Sequence, residues 1–397
     1  MKTNQQKTIN QHYVPQFCFE LFFSENKFCY LSVPRTTGER IIFSNKASKK
    51  SQSSEDYFYG ENQMLENEYA KLENDTSNLI RNFLTNEELL NEEQFNLLCA
   101  FVFSQAIRTK GFLNRFIEIQ QEFAKQIGAR LVYNKEKILF DFYNVATAYS
   151  SILSLGLNSS FIENKTNCEL LFSDNPVQLF NAFFPPACGL GMAGLVIVFP
   201  ICSKGFVLIY DEKMFSLNNL QMTENDVNEY NKLLIANCEE KIYFQNSCSQ
   251  QYFQELITET LDCRSRAHYH TLGPNESKLV SLNFPQINTI PEFSFLSLKK
   301  SYSDLAFEEK TEFPRFRSDE WKGRFNIPPK ILIEMGFEKY DWSKMNGIVD
   351  LYWEKQQTEI LTDIINEFKN RDIDTQRAIN YLFFGKLMLQ VTKKKRQ

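Results

Sequence analysis

The sequence predicts an α+β fold, predominantly helical, with a small and mainly antiparallel sheet and a helical C-terminal region. Three patterns carry this. Apolar residues recur at helical spacing through most of residues 64–155, strand-like apolar runs separated by Gly- and Pro-containing loops gather between 167 and 210, and two long helical patterns close the chain. At 397 residues the chain exceeds one ordinary hydrophobic core, so the expected division is a domain over 1–261 and an extension over 262–397.

The first ten residues are polar. Gln11-His12-Tyr13-Val14-Pro15-Gln16-Phe17 then opens a short helix, because Pro15 suits a first turn and Phe17, Phe19, Leu21 and Phe22 supply an apolar face. Residues 27–33 and 40–44 are strand-like on either side of a Pro- and Gly-containing turn and predict a hairpin, followed by a polar loop over 46–56. Leu65, Tyr69, Leu72, Leu79, Ile80 and Phe83 mark a helix over 64–84. Asn91 with Gln94 three residues on matches a capping box and opens a helix through Arg108, apolar on most sides and therefore central.

Helical patterning continues over 112–127 and 135–155. Strands are expected at 167–173, 193–199, 206–210 and 241–244, and helices at 224–237 and 250–261. Residues 262–329 read as irregular and polar. Helices over 344–370 and 375–392 follow, ending in the basic tail Lys393-Lys394-Lys395-Arg396, which complements a helix C-terminal dipole or touches a partner.

Composition bounds the function. Apolar residues at 43% suffice for a core and exclude general disorder. The longest apolar stretch, 192–200, falls far short of the roughly 20 residues of a spanning helix, and the N-terminus leads into no secretory segment. A cytoplasmic protein with no membrane partner is expected. Nine cysteines without a CxxC pair read as reduced, buried thiols. A net charge of −5 offers nucleic acid no global attraction, so any such contact is local. Asn, Lys and Phe usage suggests an AT-rich bacterial genome.

Candidate chemistry begins with the histidines, since imidazole alone titrates near neutrality without perturbation. A histidine base is confined to His12, His268 and His270. One candidate site joins His12 as base, Arg108 as a fork for phosphate or carboxylate oxygens, and Asp174 orienting the imidazole or holding a divalent metal. In the competing account His12 caps a helix, Arg108 satisfies terminal carbonyls and Asp174 starts an Asx turn before Pro176. A second candidate is the alternating row Arg264, Arg266, His268 and His270, which in an extended strand forms one basic face for a phosphate backbone; a row of this kind also serves as a solvated face. Two histidines at i and i+2, with Asp262 nearby, could also share a metal. Glu66, Glu73 and Glu92 read as solvated helical carboxylates. The GxGxxG run over 188–194 precedes a strand rather than a helix and reads as a turn.

Four features in order, His12-Tyr13-Val14-Pro15-Gln16-Phe17, Gln105-Ala106-Ile107-Arg108-Thr109, Phe172-Ser173-Asp174-Asn175-Pro176-Val177, and Phe199-Pro200 followed by Asn231, resemble the DUF4238 family over about residues 11–250. The resemblance implies site positions, with Gln16, Gln105 and Asn231 added as binding residues, and no particular reaction. The expected function is a phosphodiester hydrolase, a nuclease-like effector of a bacterial accessory or defence locus with nucleic acid or a nucleotide as partner. The alternative is a non-catalytic ligand- or protein-binding module. The C-terminal helices are the expected place for a second copy of the chain.

Overall fold

The computed structural model describes residues 7–34, 39–86, 90–126, 134–148, 156–183, 194–261, 268–272, 277–281 and 292–301, with 150 and 304. The expected helices at 344–370 and 375–392, the basic tail, Arg264, Arg266 and most of the glycine run at 188–194 lie outside them.

The chain opens with β1 (Asn10–His12), α1 (Gln16–Phe22), β2 (Phe28–Ser32), β3 (Phe43–Ala47) and β4 (Ser54–Asp56). Four helices follow: α2 (Met64–Asn86), α3 (Glu92–Ile107), α4 (Lys110–Gln126) and α5 (Lys135–Ala148). The α3 start has the expected capping box, Asn91 and Gln94 each bonding the other's backbone N–H, and α3 is buried from Leu98 to Ile107 as its all-round apolar pattern requires.

Strands then dominate: β5 (Leu157–Glu163), β6 (Phe172–Ser173), β7 (Gln178–Asn181), β8 (Leu195–Cys202), β9 (Gly205–Asp211) and β10 (Phe215–Leu217). After them come α6 (Glu224–Asn237), β11 (Lys241–Phe244), α7 (Gln250–Thr260), a hairpin of β12 (His268–Leu272) with β13 (Ser277–Ser281), and β14 (Leu296–Leu298).

This strand content overturns the predominantly helical expectation. Among the described residues, two four-stranded antiparallel sheets, in the orders β3-β2-β11-β6 and β5-β9-β8-β7, share the architecture with the helices, and three further strand pairs are added. The shortfall has a physical cause. β4, expected as part of a polar loop, and β7 are too short to show a period, and the Asn-Ser-Ser run of β5 looks like a loop although it pairs along its length with β9. Residues 262–329, expected to be irregular, contain β12, β13 and β14.

β8 and β9 are apolar almost throughout because both faces are buried, and α1 lies against β8. Pro200 brings no N–H to the ladder, and the β8–β9 register shifts between Pro200 and Cys202. Phenylalanines fasten α1 to the first sheet: Phe19 stacks on Phe28 and meets Phe172 and Tyr243 edge-on.

The late chain returns to this core. β14 pairs with β10, Phe293 and Phe295 are buried and stacked at 4.8 Å, and both lie against Phe206. Asp226 in the first turn of α6 clasps the returning segment, its carboxylate accepting from Ser294 N and Ser294 Oγ as well as from Thr223 N and Oγ1. No helix among the described residues is long and apolar enough to cross a membrane. The described cysteines form no disulfide, and most are buried.

Candidate functional site

The segment His12–Gln16 is held by side chains from distant elements. Gln11, fully buried, accepts from Tyr59 N and donates to Gly60 O, whose residue has φ +99° and takes the left-handed turn that glycine permits. Tyr13 N and Val14 N both donate to Ser53 O. The Tyr59 hydroxyl donates to His12 O, and Gln105 Nε2 donates to Tyr13 O at 3.0 Å. The His12 ring meets Lys49 O through Nε2 at 3.2 Å; a carbonyl only accepts, so Nε2 carries the proton. Burial lowers the His12 pKa, bonds to the Lys49 and Lys50 backbone oppose this, and the Arg108 charge lowers it further, so the ring is neutral at pH 7.

Arg108 caps the end of α3, with its side chain only 1% exposed. Its Nε donates to Gln105 Oε1 at 2.8 Å and its Nη1 to Glu73 Oε1 at 2.7 Å, while its guanidinium lies 4.4 Å above the Tyr69 ring. Its bonds run to side chains rather than to terminal carbonyls.

The partners come from one stripe of α2. Glu66, Tyr69, Glu73 and Thr76 are spaced three, four and three, which stacks them on one helix face, and Phe101, Ser104 and Arg108 form the matching stripe of α3. Glu66 and Glu73 are therefore half-buried members of an α2–α3 seam, which corrects their reading as solvated. Glu92, in the first turn of α3, is exposed as expected. Burial pushes the Glu66 carboxyl up to about 7, with Glu73 adding and Arg108 opposing; burial also raises Glu73, and its pairing with Arg108 offsets this only in part. Among the described residues, four buried atoms of the two helices and the α3 cap have no hydrogen-bond partner: Tyr69 Oη, Thr76 Oγ1, Ser104 Oγ and Arg108 Nη2.

Asp174 belongs to another corner. Its two carboxylate oxygens accept from three successive backbone donors, Glu239 N, Glu240 N and Lys241 N, between α6 and β11. Burial raises its carboxyl to about 6 against the pull of those donors. Its neighbour Asn175 accepts from Thr109 Oγ1 and donates to Asn237 O, tying the end of α3 to the end of α6. Asn231 accepts from Leu171 N and donates to Glu169 O, bracing the entry to β6. Gln16 is half-buried at the first position of α1. Residues 268 and 270 lie two apart on β12, opposite Ser281 and Leu279, as their alternation anticipates.

Of the sequence candidates, the structure thus gathers Arg108, Gln105 and the backbone of residues 12 and 13, with the His12 ring within electrostatic reach. Asp174 and Asn231 work elsewhere. Sequence reading leaves Glu66 and Glu73 as solvated carboxylates, gives Tyr69 only a place on the apolar face of its helix and does not single out Tyr59; the spacing of the two carboxylates around Tyr69, beside buried Leu65 and Leu79, was the available signal. Among the described residues no group of three or more His, Cys, Asp or Glu could hold a metal ion.

These features define an α+β domain of antiparallel sheets with an ion-paired polar seam buried between two helices. The chain belongs to the DUF4238 family, described as a protein of unknown function, whose model matches residues 10–247. No curated protein and no solved structure matches the chain.

Proposed function

We propose that the DUF4238 domain is a non-catalytic binding module with the α2–α3 seam as its ligand site. The observation that carries this is a buried guanidinium with one NH2 group unpartnered, among three hydroxyls that also lack partners. Each buried group left unmatched costs about 1–3 kcal/mol, which a bound molecule offering the missing partners recovers. Hydrolysis through His12, Arg108 and Asp174 draws less support, since Asp174 is bonded to three backbone donors and Arg108 to Glu73 and Gln105.

The test is thermal denaturation of the full chain against small polar metabolites in uncharged, anionic and cationic sets. At least one set should raise Tm in wild type and not in Tyr69→Phe; if none does, the module reading fails.

A second reading keeps hydrolysis, because Glu66, titrating at about 7 beside Glu73 and Arg108, suits a general acid. Incubation with RNA, DNA and nucleotides plus a divalent metal decides it: turnover lost in Glu66→Gln and His12→Ala would establish catalysis.

A further inference from the structure

The unpartnered atoms of the seam restrict what can bind there. A guanidinium has donors and no acceptor, so Arg108 Nη2 requires an acceptor on its partner, whereas the Tyr69, Ser104 and Thr76 hydroxyls take either role. Charge narrows the choice. Arg108 is already balanced by Glu73 at 2.7 Å, and both act electrostatically on the Glu66 carboxyl one to two turns earlier on α2. An incoming anion adds a negative charge beside two carboxyls, and a cation meets the guanidinium. Neither sign is favoured. Tyr69 is 2% exposed, with Arg108 over its face and Tyr59 and Tyr143 each at 4.9 Å, so the ring has no room to stack a nucleobase.

Size follows from helix geometry. Tyr69 and Thr76 are two turns apart, roughly 10 Å along α2, and Ser104 lies one turn before Arg108 on α3. Glu73 is a quarter exposed, so solvent reaches the seam at the ion pair.

We infer that the seam receives a small uncharged molecule bearing acceptor oxygens, of the polyol or carboxamide class, held by Arg108 Nη2 and the Tyr69, Ser104 and Thr76 hydroxyls. This rests on the binding-module reading and names its ligand class.

The test uses isothermal calorimetry of the full chain with erythritol and acetamide, and with acetate and ethylammonium as charged counterparts of acetamide. Wild type should bind at least one uncharged probe saturably, and Tyr69→Phe and Ser104→Ala should each weaken it at least tenfold. Because the hydroxyls removed have no partner and their burial is costly, neither variant should fall below the unliganded Tm of wild type. Binding of acetate or ethylammonium alone, weakened by the same variants, overturns the ligand class while sparing the module reading. Uncharged binding that both variants retain overturns the site. No binding by any probe overturns the inference, and the broader metabolite screen then judges the module reading separately. A clear fall in unliganded Tm in both variants shows the hydroxyls to be structural and overturns the inference.

Discussion

Glu66→Gln should stabilise the protein at alkaline pH and leave it unchanged at acid pH. The fold raises the Glu66 carboxyl from 4.5 to about 7, chiefly by burial. The sign follows from proton counting. Below 4.5 both folded and unfolded chains hold the proton and nothing is lost; between 4.5 and about 7 the unfolded chain releases it first, so stability falls as pH rises; above 7 the full cost of a buried carboxylate is present. The whole rise corresponds to about 3 kcal/mol. Glu66 is partly exposed, and screening by solvent reduces this to about 1–2 kcal/mol. Glutamine has the same shape and no charge, so the variant escapes the penalty. Urea denaturation at about pH 4 and about pH 8 should show near-equal stability at the first and a variant about 1–2 kcal/mol more stable at the second. The exposed Glu92→Gln serves as control and should change neither. A Glu66→Gln protein less stable than wild type at about pH 8 would refute the reasoning, because it would mean the ionised carboxylate is well paired.

Asp174→Asn retains one acceptor oxygen and turns an NH2 group toward backbone donors, so chemical denaturation should register a loss of about 2–4 kcal/mol; wild-type stability would disprove the three-donor role. Gln105→Leu strands Tyr13 O and Arg108 Nε together and should cost about 2–4 kcal/mol, a figure that a mild effect below about 0.5 would rule out. His12→Gln should flatten the acid limb of the stability profile: the folded ring sits below 6.5, so as pH falls through 6.5 the unfolded chain takes up its proton first and wild type loses stability. An unchanged acid limb would count against a buried neutral imidazole. Asp226→Ala removes both a helix cap and the tie to Ser294, which should lower stability by about 2–3 kcal/mol and speed proteolysis near residues 292–301; an unaltered digestion pattern would contradict the clasp.

Sequence reading succeeded where local chemistry dictates structure. The Asn91–Gln94 box set the start of α3, and α6 and β11 occupy the expected residues because Thr223 caps the one and an apolar run defines the other. It failed where pairing decides. β7 is a strand because β8 lies beside it, and nothing within four residues announces that. The site divides the same way. Gln105 and Arg108 stood out through their motif, but the partner of Arg108 is Glu73, 35 residues earlier, and a glutamate beside an apolar stripe looks solvated until the opposing helix is known. Asp174 was visible as polar, whereas its three donors come from 65 to 67 residues away.

Phe293 and Phe295 lie beyond the span that the family model matches, yet they fill the same interior as Phe206. The segment over 292–301 consequently belongs to the same core as the matched span, held there by the Asp226 carboxylate. A chain cut at residue 247 would therefore lose aromatic packing from the interior of the domain itself.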